Sequence, residues 1–264
     1  MHITPITSVK NATIKKVMSL NKKRGRQEHM QFVVEGIREI NMAIESGLQP
    51  IDIMFNKHWD AATLSDFIAG LDGANKYELD DIVFEKISYR DSVANAVATF
   101  PLFETSLSKL NLQQDSLVVV LESIEKPGNL GAIFRTADAA GVDAIIISNA
   151  NTDFYNPNVI RASLGAVFTV PFAIATNDDT LSFLTERDFM IYSTYLEGSI
   201  AHHKVGMTKN TALVMGSEAH GISPFWVENN TSCIKIPMRG KADSMNVSTA
   251  AAVVIYEAVR QRTS

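Results

Sequence analysis

The chain contains one cysteine, Cys233, so no internal disulfide can form. A disulfide-stapled secreted scaffold and a cysteine-rich zinc module are thereby excluded, and a reducing compartment, the cytoplasm, is the expected setting. It also lacks an uninterrupted apolar run of about 18 residues, the length a membrane helix needs. The polar opening from Met1 to Asn11 carries no signal-peptide core. Neither membrane spanning nor export is expected. There is no internal repeat and no low-complexity segment. What is present suits a folded protein: 264 residues, 46% of them hydrophobic, are enough for one large domain or two ordinary ones.

Acidic residues are absent from the first 26 positions, which hold Lys10, Lys15, Lys16, Lys22, Lys23, Arg24 and Arg26. From Ile51 to Asp91 the balance reverses, through Asp52, Asp60, Asp66, Asp72, Glu78, Asp80, Asp81, Glu85 and Asp91. The net charge of −5 therefore hides a basic arm on an acidic body. A polyanion responds to the local field, so the arm suits phosphate binding, and a solvated terminus is the plainer alternative.

Ile14, Val17 and Met18 repeat at helical spacing, and the polar run Asn21 to Arg26 reads as an exposed loop after a short helix. Ile37, Ile40 and Ile44 predict a helix stopped at Gly47, Ile51 to Phe55 a strand, and Leu64, Phe67 and Ile68 another helix. The period is lost around residues 99–114, which read as a linker. Beyond it the alternation is cleaner: strand Leu117 to Leu121, helix Asn129 to Ala140 ending at Gly141, and strand Ala144 to Ser148. Further strands are predicted at Ala166 to Val170, Phe189 to Thr194, Thr211 to Met215 and Cys233 to Ile236, with an Ala-rich helix from about Asn246 to Arg260. Such alternation is α/β in character.

Three strand ends carry polar residues that a core does not require. The first runs from Glu125 through Pro127, Gly128 and Asn129 to Arg135, where Asn129 is placed to cap the helix. Positions six apart differ by roughly 240° around a helix, so Asn129 and Arg135 need not share a face. The second is Val214-Met215-Gly216-Ser217-Glu218-Ala219-His220-Gly221-Ile222-Ser223, with two glycines for close backbone approach and Ser223 before Pro224 as a helix start. Glu218 and His220 lack a second histidine at helical spacing, so no metal is expected. The third, Ile236 to Ala250, passes through a basic loop into the last helix, with Ser244 and Asn246 able to cap it. Gly-x-Gly-x-x-Gly and Gly-Lys-Ser/Thr are both missing, which argues against a dinucleotide fold and a Walker-type site.

Taken together and in order, these three segments resemble the motifs of the SpoU/TrmH family of RNA ribose methyltransferases. Tyr155 to Ala166 is similar to a further segment of that family. Phe32-Val33-Val34-Glu35-Gly36-Ile37 resembles the start of the family's ribosomal-protein L30e-like substrate-binding domain. The resemblance implies an α/β fold with a trefoil-knotted SPOUT methyltransferase domain at residues 115–264. A smaller N-terminal L30e-like α/β domain occupies residues 1–98, with the linker at 99–114 between them. Periodicity alone predicts an ordinary doubly wound sheet, since knots are rare.

The same resemblance implies an S-adenosylmethionine-dependent RNA 2′-O-methyltransferase that works as a homodimer, on RNA and not DNA. Ribosomal RNA is the first expectation and transfer RNA the second; a non-catalytic RNA-binding protein of the same fold is a further alternative. By position, Asn129, Arg135, Glu218, Ser244 and Asn246 form the catalytic group. Within it Arg135, helped by the substrate phosphate, acts on the ribose hydroxyl. Thr194, Gly216, Ile236, Met238, Met245 and Ala250 line the cofactor pocket. Arg24, Arg26, Arg161 and Lys241 are the expected RNA contacts.

Overall fold

The computed structural model describes residues 2–71, 73–89, 95–229 and 231–263. Asp72 and Asp91 of the acidic stretch lie outside the described residues. The chain forms two compact units, one of residues 1–103 with 154–169, the other of residues 104–153 with 170–264.

The first unit holds β1 (Ile3–Ile6), α1 (Ala12–Ser19), α2 (Lys23–His29), β2 (Gln31–Glu35), α3 (Ile37–Glu45), β3 (Asp52–Asn56), α4 (Ala61–Ile68), β4 (Asn75–Leu79), α5 (Asp81–Ile87) and β5 (Ala96–Pro101). Its sheet runs β1-β4-β3-β5-β2, with β5 antiparallel to both neighbours. Ile14, Val17 and Leu20 pack with Met54, Leu79, Val83 and Val97. Asp52 is buried at the start of β3, and Lys16, Asn75 and Thr99 all donate to its carboxylate, as a buried charge requires.

The predicted loop at Asn21 to Arg26 is instead largely helix. A Cβ on Gly25 would lie 2.2 Å from the Ser19 carbonyl oxygen, so a glycine lets α2 press against the end of α1. Arg26 is only 3% exposed and donates to the Leu20 carbonyl at 2.6 Å. The basic run has no apolar period because this contact, not an amphipathic face, holds the helix.

The same unit includes α7 (Pro157–Ser163), whose flanks bring Tyr155 and Phe168 onto Phe32, at ring-centroid distances of 5.1 and 6.0 Å. The strand predicted at Ala166 to Val170 is a buried 3-10 turn at Ala166–Phe168. Gly165 just before it has φ +88°, which breaks extended structure. The strand begins after Pro171.

The second unit contains β6 (Leu117–Glu122), α6 (Pro127–Ala140), β7 (Ala144–Ser148), β8 (Phe172–Ala175), α8 (Asn177–Thr185), β9 (Met190–Thr194), β10 (Ile200–Ala201), β11 (Thr211–Met215), α9 (Pro224–Glu228), β12 (Ser232–Lys235) and α10 (Val247–Arg262). Its seven strands are all parallel, in the order β10-β12-β9-β11-β6-β7-β8. β6, β7 and β11 are buried along their whole length, as strands covered on both faces are. On one face Val118, Val120, Ile146, Ala212 and Val214 pack with Phe183, Leu184 and Trp226; α10 packs on α6 and β11. After β6 the chain moves outward to β7 and β8, then returns on the other side of β6. That reversal puts the topological switch point at the carboxyl ends of β6 and β11, the place where open α/β sheets bind ligands.

Candidate active site

Each of the three polar segments leaves the carboxyl end of a strand: 123–129 follows β6, 216–223 follows β11, and 236–246 follows β12. Helix α6 begins earlier than the sequence suggests, with Pro127 in its first turn and Lys126 at the cap position. Asn129 therefore does not cap α6. Its side chain points across segments, donating from Nδ2 to Glu218 Oε1 at 2.6 Å and accepting at Oδ1 from Asn246 Nδ2 at 3.1 Å. Asn246 does cap α10, taking the Ser248 N–H at 2.9 Å on Oδ1. One amide thus starts a helix and fixes a neighbour.

Glu218 sits on a tight hairpin closed by Ser217 N–H to Gly221 O and Gly221 N–H to Ser217 O. A Cβ on Gly216 would come within 2.0 Å of the Gly221 carbonyl carbon, so a glycine is needed there. The Glu125 N–H donates to Glu218 Oε2 at 3.2 Å. Burial pushes the Glu218 carboxyl up, the largest single influence on it. Hydrogen bonds from the Asn129 amide and from the backbone N–H groups of Glu218, Glu125 and Lys126 together outweigh burial and hold it below the ordinary carboxylate range. These backbone donors carry no side-chain signal, so sequence reasoning missed them.

The structure joins Asn129, Glu218 and Asn246 and leaves the other two predicted catalytic residues apart from that chain. Arg135 is exposed on α6 and makes no hydrogen bond or ion pair with another described residue; Ser244 is exposed and makes no hydrogen bond among them. At the end of β9, Thr194 donates to the Val214 carbonyl at 3.0 Å, tying β9 to β11. Gly216 is buried, Ile236, Met245 and Ala250 are half-buried, and Met238 is exposed. From Pro237 to Met245 no backbone group bonds to another backbone group among the described residues. Backbone groups over this stretch are therefore left without backbone partners, beside the exposed Met238.

Of the expected RNA contacts, Arg24 and Lys241 are exposed. Arg26, as described, is buried, which corrects its reading as a solvent-facing cation. Arg161 lies 3.3 Å from Glu35 Oε2 and 3.7 Å above the Tyr89 ring, while also donating to Asn158. Among the described residues no three His, Cys, Asp or Glu side chains converge as metal ligands.

Comparison with known proteins decides the family. Residues 116–256 match the model of the SpoU rRNA Methylase family, and residues 11–98 match that of an MRM3-like substrate binding domain. The chain belongs to the SpoU rRNA Methylase family. Like other SpoU proteins it is a methyltransferase. It is similar to a 23S rRNA guanosine 2′-O-methyltransferase of Bacillus subtilis, with 26% identity over 251 residues, 95% of this chain and 97% of the relative. A 23S rRNA guanosine 2′-O-methyltransferase of Bordetella pertussis is 39% identical over 152 residues, 57% of this chain and 62% of the relative. Among solved structures, the AdoMet-bound rRNA methyltransferase of Sinorhizobium meliloti has a TM-score of 0.89 at 28% identity, covering 98% of both chains. In this SpoU chain, the Asn129, Glu218 and Asn246 group lies within the matched region.

Proposed function

We propose that this protein transfers a methyl group from S-adenosylmethionine to a ribose 2′-hydroxyl of ribosomal RNA. The observation that carries the reading is the Asn246–Asn129–Glu218 chain, which ties three strand-end segments into one polar group. When bound there, S-adenosylmethionine supplies an electrophilic methyl on a sulfonium. Gly216, Ile236, Met238, Met245 and Ala250 would hold it, and Thr194 ties β9 to β11. Glu218 has both oxygens engaged and stays ionised, so it serves as a fixed acceptor that orients Asn129 and not as a proton shuttle. The Arg135 guanidinium binds an RNA phosphate and positions the ribose hydroxyl, whose proton passes to solvent as its oxygen takes the methyl; positioning of this kind supplies much of the rate in a displacement. Ser244 contacts the substrate, and Arg24, Arg161 and Lys241 meet the RNA backbone.

The proposal includes the knotted threading, a cytoplasmic setting and a homodimer. Val253 and Tyr256 of α10, 37% and 49% exposed and three residues apart, are apolar side chains open to a partner copy. The test is transfer of labelled methyl into separated, unmodified ribosomal and transfer RNA, followed by nucleoside analysis, with Arg135→Ala alongside. A labelled 2′-O-methylnucleoside from ribosomal RNA, lost in the variant, is expected. Label on a base, or in transfer RNA alone, refutes the proposal.

A further inference from the structure

In the second unit a buried carboxylate lies outside the group described above. Glu122 ends the otherwise apolar β6 and is 3% exposed. Its Oε1 accepts from Asn177 Nδ2 and from Ser223 Oγ, each at 2.5 Å, and its Oε2 accepts from the Ser223 N–H at 2.7 Å. Ser148 Oγ in turn bonds to Asn177 Oδ1. Ser223 stands at the cap position of α9, yet its side chain does not cap that helix. It turns to Glu122 instead. A leucine at position 122 would serve the core without the penalty of burying a charge, so the carboxylate has a use other than packing.

Segment 122–129 meets segment 218–223 at two levels. Below, Glu122 grips Ser223 through both its N–H and its hydroxyl. Above, Glu125 and Asn129 grip Glu218. We infer that Glu122 is a positioning residue for methyl transfer, clamping the base of the Gly216 to Ser223 loop so that Glu218 is held against Asn129. The inference rests on the function proposed above. Charge-assisted bonds to a fixed carboxylate are short and directional, which suits a clamp at this position.

The test compares Glu122→Gln, Ser223→Ala and Ser148→Ala in the full chain, measuring kcat, KM for S-adenosylmethionine, and the Glu218 carboxyl titration by carbon NMR. Glu122→Gln keeps the size but turns an N–H donor toward the Ser223 donors. It is expected to lower kcat at least tenfold, leave KM within twofold, and move the Glu218 titration upward toward the ordinary carboxylate range. Ser223→Ala, which keeps the N–H bond, should lower kcat about threefold. Ser148→Ala loosens the same buried network without touching Ser223 and should leave kcat within twofold. Combining Glu122→Gln with Asn129→Ala should add nothing to the loss from Asn129→Ala alone, since both act through one contact. Wild-type kcat in Glu122→Gln, or an equal loss in Ser148→Ala, overturns the inference. If Glu122→Gln fails to fold, an unchanged kcat and unchanged Glu218 titration in Ser223→Ala overturn it. A wild-type protein that methylates no RNA refutes the proposed function, while the Glu218 titration still decides the role of Glu122.

Discussion

Replacing Asn129 with aspartate changes one atom and inverts the logic of the centre. The Nδ2 that donates to Glu218 at 2.6 Å becomes an oxygen facing an oxygen. Two unit charges at that separation repel by about 3 kcal/mol at an effective dielectric near 40, suited to a half-exposed site, an energy equivalent to about two pH units. Ionising both carboxylates above neutral pH therefore strains the hairpin. Either the loop opens or the pair retains one proton, as close carboxylate pairs do. At acidic pH the shared proton restores a hydrogen bond across the gap, and the introduced group still accepts from Asn246. Asn129→Asp is therefore expected to transfer methyl poorly at pH 8 and to regain activity as the pH falls toward 5.5. The wild-type profile should be flat over the same range. The assay is initial-rate methyl transfer at saturating S-adenosylmethionine from pH 5.5 to 8.5, with circular dichroism at each pH. A variant as active as wild type at pH 8, or one whose activity falls toward acid, refutes the geometry on which the argument rests.

Gly216→Ala places a Cβ 2.0 Å from the Gly221 carbonyl carbon; a loss of about 1–3 kcal/mol in denaturant unfolding and of most transfer activity is expected. Arg24→Ala should weaken RNA binding and reduce the slope of its salt dependence by about one counterion, whereas Arg26→Ala should instead lower unfolding stability by about 1–3 kcal/mol, because it strips the Leu20 carbonyl of its buried partner. The Glu257 carboxyl is lowered to about 2, first by the hydrogen bond from Arg260 and then by that from Gln261. A depressed folded-state value stabilises above the ordinary carboxyl range and is lost as pH falls from about 4.5 toward 2, so Glu257→Gln should flatten the acid-unfolding curve in that window.

The central strands of the second unit were legible because β6, β7 and β11 bury every position and read as unbroken apolar runs. The start of α10 was legible because Asn246 is a cap by its chemistry. Strands β1 and β4 were not, since Ile3-Thr4-Pro5-Ile6 and Asn75 to Leu79 are short and mostly half-exposed or exposed. Nor was α2, whose order comes from the contact of Gly25 with Ser19 and not from its own pattern. At the site, Asn129 invited a local reading as a cap. Its actual partners stand 89 and 117 residues away, and no periodicity reaches that far. Only the likeness to a family placed the three segments together in advance.

The excursion of residues 154–169 makes the two halves of this chain inseparable in a practical sense. It is threaded between β7 and β8, inside the range matched by the SpoU family, yet its Tyr155 and Phe168 cover Phe32 of the N-terminal unit. A truncation after residue 103 uncovers Phe32, and a fragment starting at residue 104 carries a sticky aromatic excursion with nothing to rest on. Exchange of the N-terminal module between relatives, in evolution or in the laboratory, must therefore carry a matching aromatic seat or replace both stretches at once.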